Sequence, residues 1–234
     1  MADVDAVLLD VGGVFLVPDH DRILGAFTRA EWSASADLLD RAHYVGATAF
    51  TTDLDVEGDW DGSWKRYLDA YIIECGVTDE AREDVHRHLD SEFADAALWL
   101  RVLPGCREGL EALAETGVRL GVISNADGMM SARLRELEIL QVGPGPGVEV
   151  ECFLDSGEVG IMKPDPRIFT MALDALGVDS SRAWYLGDMP GIDVVGARRA
   201  GLRPFVIDPL GLHLDQDYDR TESLTELAAL ISEG

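Results

Sequence analysis

Residues Ala6 to Val14 read AVLLDVGGV, and this stretch decides the fold. Aliphatic side chains fill successive positions from Ala6 to Leu9, so both faces of an extended chain would be apolar. A run this short with two apolar faces suits a strand buried inside a parallel sheet. Asp10 breaks the run, and Gly12 and Gly13 follow it. The glycines mark a sharp turn or a close backbone approach. A carboxylate therefore stands at the end of a buried strand, where it either caps a turn or serves a crevice.

From Leu100 onward strands and helices alternate. Pro104 opens a helix carrying Leu110 and Leu113, closed by Gly117. Val118 to Ile123 is a predicted strand running into Ser124 and Asn125, followed by a helix over about 128–137. The segment QVGPGPG, Gln141 to Gly147, reads as a rigid connection, and Val150 to Leu154 as a strand. Asp165 and Pro166 form an N-cap and first-turn pair for a helix ended by Gly177. Trp184 to Leu186 is the next strand, Ile192 to Ala200 a helix ended by Gly201, and Phe205 to Ile207 the last strand. Ser223 and Glu226 make a capping box for a terminal helix. Such alternation predicts an α/β fold, a Rossmann-like parallel sheet covered on both faces. Ligands of these sheets bind beyond the carboxyl ends of the strands, which is where Asp10, Ser124 and Asp188 fall.

The stretch between the first strand and Leu100 has a different texture. Helical spacing dominates (Ile23, Leu24, Phe27; Trp64, Tyr67, Leu68, Tyr71), and four of the five tryptophans lie there. We expect a helical insert over 16–99, without strands, interrupting a core built from 1–15 and 100–234. Its aromatic residues are first of all core material.

Hydrophobic residues make up 47% of the 234, enough for a sizeable core, and the net charge is −25. A chain so acidic repels nucleic acid and anionic membranes, and binds an anion only where positive charge is concentrated locally. Lys65 and Lys163 are the only lysines. That composition fits either codon bias in a GC-rich genome or adaptation to high salt, which a salt titration of stability separates. Cys75, Cys106 and Cys152 are widely spaced and odd in number, which disfavours a disulfide framework or a zinc site. The first residues lack a basic flank and a long apolar run, so neither a signal peptide nor a membrane span is expected and the cytoplasm is the expected location.

Several carboxylates brought to one crevice repel unless a hard cation sits among them. Asp10, Asp188 and Asp193 supply oxygen ligands without histidine or cysteine, a set that favours magnesium over zinc. Lys163 can neutralise the cluster and hold an anionic oxygen. Ser124 and Asn125 offer a hydroxyl and an amide to phosphate oxygens. Singly, each residue reads equally well as a cap, a turn or a surface group; their order and placement carry the case.

That order resembles the haloacid dehalogenase superfamily along nearly the whole chain. LLDVGGV (Leu8 to Val14) looks like its first motif, VISNA (Val122 to Ala126) its second, GIMKPDPRIF (Gly160 to Phe169) its third and YLGDMPGIDVVGARRAG (Tyr185 to Gly201) its fourth. The resemblance implies a helical cap between the first two motifs, which opens and closes over the site. It implies catalysis by Asp10, Ser124 and Lys163, with Ser124, Asn125 and Lys163 binding substrate. Magnesium would be held by Asp10, Asp188 and the carbonyl of Gly12, with Asp193 in support, and the substrate would be a small phosphorylated metabolite. Cap side chains such as Trp60, Trp64 and Tyr67 would select it.

One position departs from the pattern. Phosphatases of the family usually carry an acid/base Asp two residues after the nucleophile, where this chain has Gly12. Its loss typically costs ~10²–10⁴-fold in rate. Three readings follow: a substrate with a good leaving group, a substitute such as Asp19 or His20, or a homologue that binds a phosphorylated ligand without turnover. A 2-haloacid dehalogenase is the alternative enzyme class, although its members usually have an aromatic residue at that position. A phosphomutase would want the missing acid.

Overall fold

The computed structural model describes residues 4–50 and 60–233. The chain forms two compact units. One comprises the residues up to Phe15, Leu103–Asp188 and the residues from Ile192 on; the other comprises Leu16–Val102 with Met189–Gly191.

The first unit opens with β1 (Ala6–Leu9), wholly buried as its two apolar faces require. The second unit follows: β2 (Leu16–Pro18), α1 (His20–Arg29), α2 (Leu39–Ala49), α3 (Trp60–Glu74), α4 (Asp79–Phe93) and β3 (Trp99–Val102). The first unit resumes with α5 (Cys106–Glu115), β4 (Arg119–Ser124), α6 (Met130–Glu136), β5 (Leu140–Val142), β6 (Val148–Val150), β7 (Cys152–Asp155) and α7 (Ser156–Val159). It ends with α8 (Pro166–Leu176), β8 (Ala183–Gly187), α9 (Asp193–Arg199), β9 (Arg203–Ile207), β10 (Asp219–Thr221) and α10 (Leu224–Glu233).

Six strands form one parallel sheet in the order β10-β9-β8-β1-β4-β7. The expected α/β architecture is therefore present, with β1 near the middle. Ala6 and Leu8 share a core with Ile168, Phe169, Ala172 and Leu176 of α8 and with Tyr185 of β8. Elsewhere α5 packs closely on α10: a Cβ added at Gly109 would lie 2.6 Å from that of Leu224. Local chemistry sets the helix ends. The Asp165 carboxylate accepts from the Arg167 amide, Pro166 occupies the first turn, and Gly177 closes α8 at φ +63°. At α10 the Glu226 amide donates to Ser223 Oγ, while the Glu226 carboxylate reaches the amide of Glu222 rather than that of Ser223.

The structure corrects several expectations. The insert is not strand-free: β2 and β3 pair antiparallel at its two ends, with an irregularity between Val17 and Pro18. Residues 51–59 of the insert lie outside the described residues. Pro104 does not begin a helix; Gly105 does so as an N-cap at φ +75°. The single strand expected over 150–154 is two, β6 and β7, interrupted at Glu151, whose amide donates to the Leu120 carbonyl. Beyond β9 a further short strand, β10, adds to the sheet edge. The QVGPGPG loop turns around the buried Gln141 amide, which donates to the carbonyls of Gly143 and Gly147 and accepts from the Gly147 amide. Among the described residues no helix is long and apolar enough to cross a membrane.

Candidate active site

The sheet register brings the distant motifs together. Leu9, at the end of β1, pairs with Val122 of β4 on one side and Leu186 of β8 on the other. The Asp10 amide continues the ladder to the Leu186 carbonyl at 2.8 Å. Asp10, Ser124 at the end of β4 and Asp188 just beyond β8 therefore stand on one carboxyl edge. Lys163 arrives from the segment before α8, and Asp193 is the first residue of α9.

Lys163 is the hub. Its Nζ lies 2.7 Å from Asp10 Oδ1, 2.9 Å from Asp193 Oδ1 and 2.8 Å from Tyr185 Oη. An ammonium has three hydrogens, and these contacts engage all of them. Lys163 thereby neutralises and fixes the carboxylates. Asp10 Oδ1 also accepts from the Val11 amide at 2.7 Å. Oδ1 is thus held by two donors, which fixes the orientation of the carboxylate. Tyr185 donates to Asp193 Oδ1 at 2.9 Å.

Three buried carboxylates, Asp10, Asp188 and Asp193, place ligand oxygens within 4.8 Å of one another. One ammonium does not balance three such charges. Burial, with the neighbouring Asp193 and Asp188, pushes the Asp10 carboxyl up to about 7 against the pull of Lys163. Burial alone would lower the Lys163 ammonium, but Asp10 and Asp193 outweigh it and raise it. Burial and the nearby carboxylates hold the Tyr185 phenol well above its usual value, so it stays protonated and donates. The excess of negative charge and the oxygen-only donors fit a hard divalent cation.

The two glycines of the first motif differ. Gly13 has φ +63°, and a Cβ there would lie 2.5 Å from the Cβ of Asp188, so the carboxylate can sit this close only against a glycine. Gly12 is not among the residues with positive φ. Its lack of a side chain is a chemical difference rather than a demand of the backbone.

The Asn125 side chain clamps the Lys163 backbone: Nδ2 donates to the Lys163 carbonyl at 3.0 Å and Oδ1 accepts the Lys163 amide at 2.8 Å. Ser124 is buried beside Asp155 in the β4–β7 register. The candidate substitutes for the missing acid have structural employment in the helical unit. Asp19 caps α1 through the Arg22 amide at 3.0 Å, and His20 Nε2 meets Asp40 Oδ1 at 2.7 Å. Tyr67 is fully buried there, its hydroxyl 2.8 Å from His43 Nδ1 and its ring against Trp64, Tyr71 and Phe93, which makes it core rather than a selector. Sequence reasoning missed Tyr185. The available signal was a phenol inside a strand with two buried faces, where its hydroxyl must find a partner.

The family model described as haloacid dehalogenase-like hydrolase matches residues 4–201. The chain belongs to this family. Among curated relatives, this haloacid dehalogenase-like hydrolase is 33% identical over 199 residues to a phosphoserine phosphatase of Thermus thermophilus, covering 79% of this chain and 76% of that protein. It is 29% identical over 206 residues to a Mycobacterium tuberculosis protein named as a phosphatase, covering 84% of this chain and 88% of the relative. Among solved structures, a 2-haloacid dehalogenase of Pseudomonas syringae superposes with a TM-score of 0.55 at 22% identity, covering 98% of this chain and 99% of that one. At that identity the likeness speaks for the fold alone.

Proposed function

We propose that this hydrolase releases phosphate from a small phosphorylated metabolite, with Asp10 attacking phosphorus. The observation that carries the reading is the anchoring of Asp10. One carboxylate oxygen, Oδ1, is fixed by the Val11 amide and Lys163, and the carboxyl group stands with Asp188 and Asp193 in a cluster that suits a divalent cation. The relatives named as phosphatases support it. In this reading Asp10 Oδ2 forms a bond to phosphorus as the ester oxygen leaves, and water then displaces the carboxylate to give inorganic phosphate. Magnesium, held by Asp10, Asp188 and the Gly12 carbonyl with Asp193 in support, would supply charge neutralisation at the phosphoryl oxygens. Lys163 favours the ionised form of Asp10 and aims it, and the Ser124 hydroxyl donates to a phosphoryl oxygen.

Gly12 offers no proton to the departing oxygen, and Asp19 and His20 are engaged in the helical unit. The substrate accordingly carries a leaving group that departs without a strong acid, and turnover rises steeply as the leaving group becomes more acidic. The test is a panel of phosphate esters, assayed with wild type and Asp10→Asn, with magnesium and with chelator. Magnesium-dependent phosphate release that disappears in Asp10→Asn is the expected result. Chelator-resistant chloride release from a 2-haloacid would transfer the chain to the dehalogenase reading. Magnesium binding without turnover of any ester would leave a phospho-ligand binder.

A further inference from the structure

A buried acid outside the catalytic cluster has no part in the chemistry above. Asp155, the last residue of β7, is fully buried and pairs in register with Ser124. Its Oδ1 accepts the Gly157 amide at 2.9 Å, capping α7, and its Oδ2 accepts the amide of Met130, the first residue of α6, at 3.2 Å. Ser156 adds a two-way link to the same segment: its Oγ accepts the Ala126 amide at 3.0 Å and donates to the Ala126 carbonyl at 3.2 Å. Gly157 closes the gap. A Cβ there would stand 2.5 Å from the carbonyl carbon of Asp127 and 2.6 Å from the Gly128 nitrogen.

Residues 155–157 thus hold 126–130 at three successive positions. The residue just before that segment is Asn125, whose amide grips the Lys163 backbone, and Lys163 in turn holds Asp10. The plainer account is that Asp155 caps two short helices and nothing more. It does not explain why Ser156 binds both the amide and the carbonyl of Ala126, which belongs to neither helix, or why Gly157 fits against the 127–128 peptide.

We infer that Asp155, Ser156 and Gly157 are positioning residues of the active site, fixing the backbone of 126–130 and through it the Asn125 clamp that holds Lys163 against Asp10. The inference builds on the phosphatase reading, but its primary test needs no substrate. Amide hydrogen exchange is followed by mass spectrometry on peptides spanning 161–165 in wild type, Ser156→Ala, Ser156→Thr and Gly157→Ala. Loss of the Ser156 hydroxyl is expected to speed exchange at Lys163 by roughly 10-fold, although the substitution lies seven residues away in sequence and bonds to a different segment. Ser156→Thr, which keeps the hydroxyl, restores wild-type exchange. On a hydrolysed ester, kcat is expected to fall roughly 10- to 100-fold in Ser156→Ala, with KM little changed and with thermal unfolding still cooperative. Exchange over 161–165 equal to wild type in Ser156→Ala would overturn the inference, and that variant decides alone if Gly157→Ala does not fold. A wild type that releases no phosphate while Ser156→Ala still loosens 161–165 would sink the phosphatase reading and leave the linkage standing.

Discussion

Lys65 and Lys163 are the only lysines in the chain, one in each unit, and their surroundings are opposite. Lys65 lies on α3 with its side chain 65% exposed, paired with Asp69 one helical turn on. Lys163 is 2% exposed and makes three contacts with Asp10, Asp193 and Tyr185. An exposed pair contributes about 0–1 kcal/mol, since water competes for both charges. A buried cluster gives up hydration on every charge, and well-packed apolar residues would often be as stable. The helical unit follows the stabilising pattern, with aromatic side chains inside and ion pairs outside. The carboxyl edge of the parallel sheet departs from it, and that departure is what marks the site.

The contrast can be broken most forcefully at Lys163. Lys163→Ala leaves three buried carboxylates with no cation of the chain among them, and we expect a loss of about 3–5 kcal/mol in the metal-free protein. Phosphate release falls below detection, and added magnesium recovers part of the stability in denaturant titrations. Gly12→Asp asks whether the edge lacks only an acid. For esters with poor leaving groups we expect a gain of about 10²-fold, the lower end of a general-acid effect, measured as kcat/KM across a leaving-group series.

A gentler probe is pH. Asp10 titrates near 7 when folded, above its ordinary 3.8, so the folded state holds an extra proton between these values. The contribution of Asp10 to metal-free stability therefore declines as pH rises from about 4 to 7. Asp10→Asn should abolish that decline, making the variant more stable than wild type above pH 7 and nearly equal to it near pH 4. The smallest effect belongs to Lys65→Ala, with a stability change within about 0.5 kcal/mol and unaltered turnover.

How far the sequence could be read follows the same division. AVLLDVGGV, the Asp165–Pro166 cap and the glycines after the helices specify their elements through local chemistry, and the α/β order follows from them. Asp10 and Asp188 were legible because each follows a strand whose register is set by buried apolar runs, and Lys163 and Asp193 because they stand just before α8 and at the start of α9. What stayed hidden depends on side-chain partners. The Asn125 clamp on the Lys163 backbone joins two segments far apart in sequence and has no local signal. Tyr185 reads as a core aromatic until its hydroxyl meets Lys163 and Asp193. β2, β3 and β10 are too short to show a period, and Glu151 breaks β6 from β7 without any turn residue to announce it.

The most direct measurement is acid quench of wild type during turnover of a phosphate ester with magnesium, followed by mass spectrometry of the peptide containing Asp10. The account predicts a phosphoryl group on the Asp10 carboxylate, present in wild type and absent in Asp10→Asn. Continued phosphate release by Asp10→Asn, or a phosphoryl group trapped on any other residue, would contradict it.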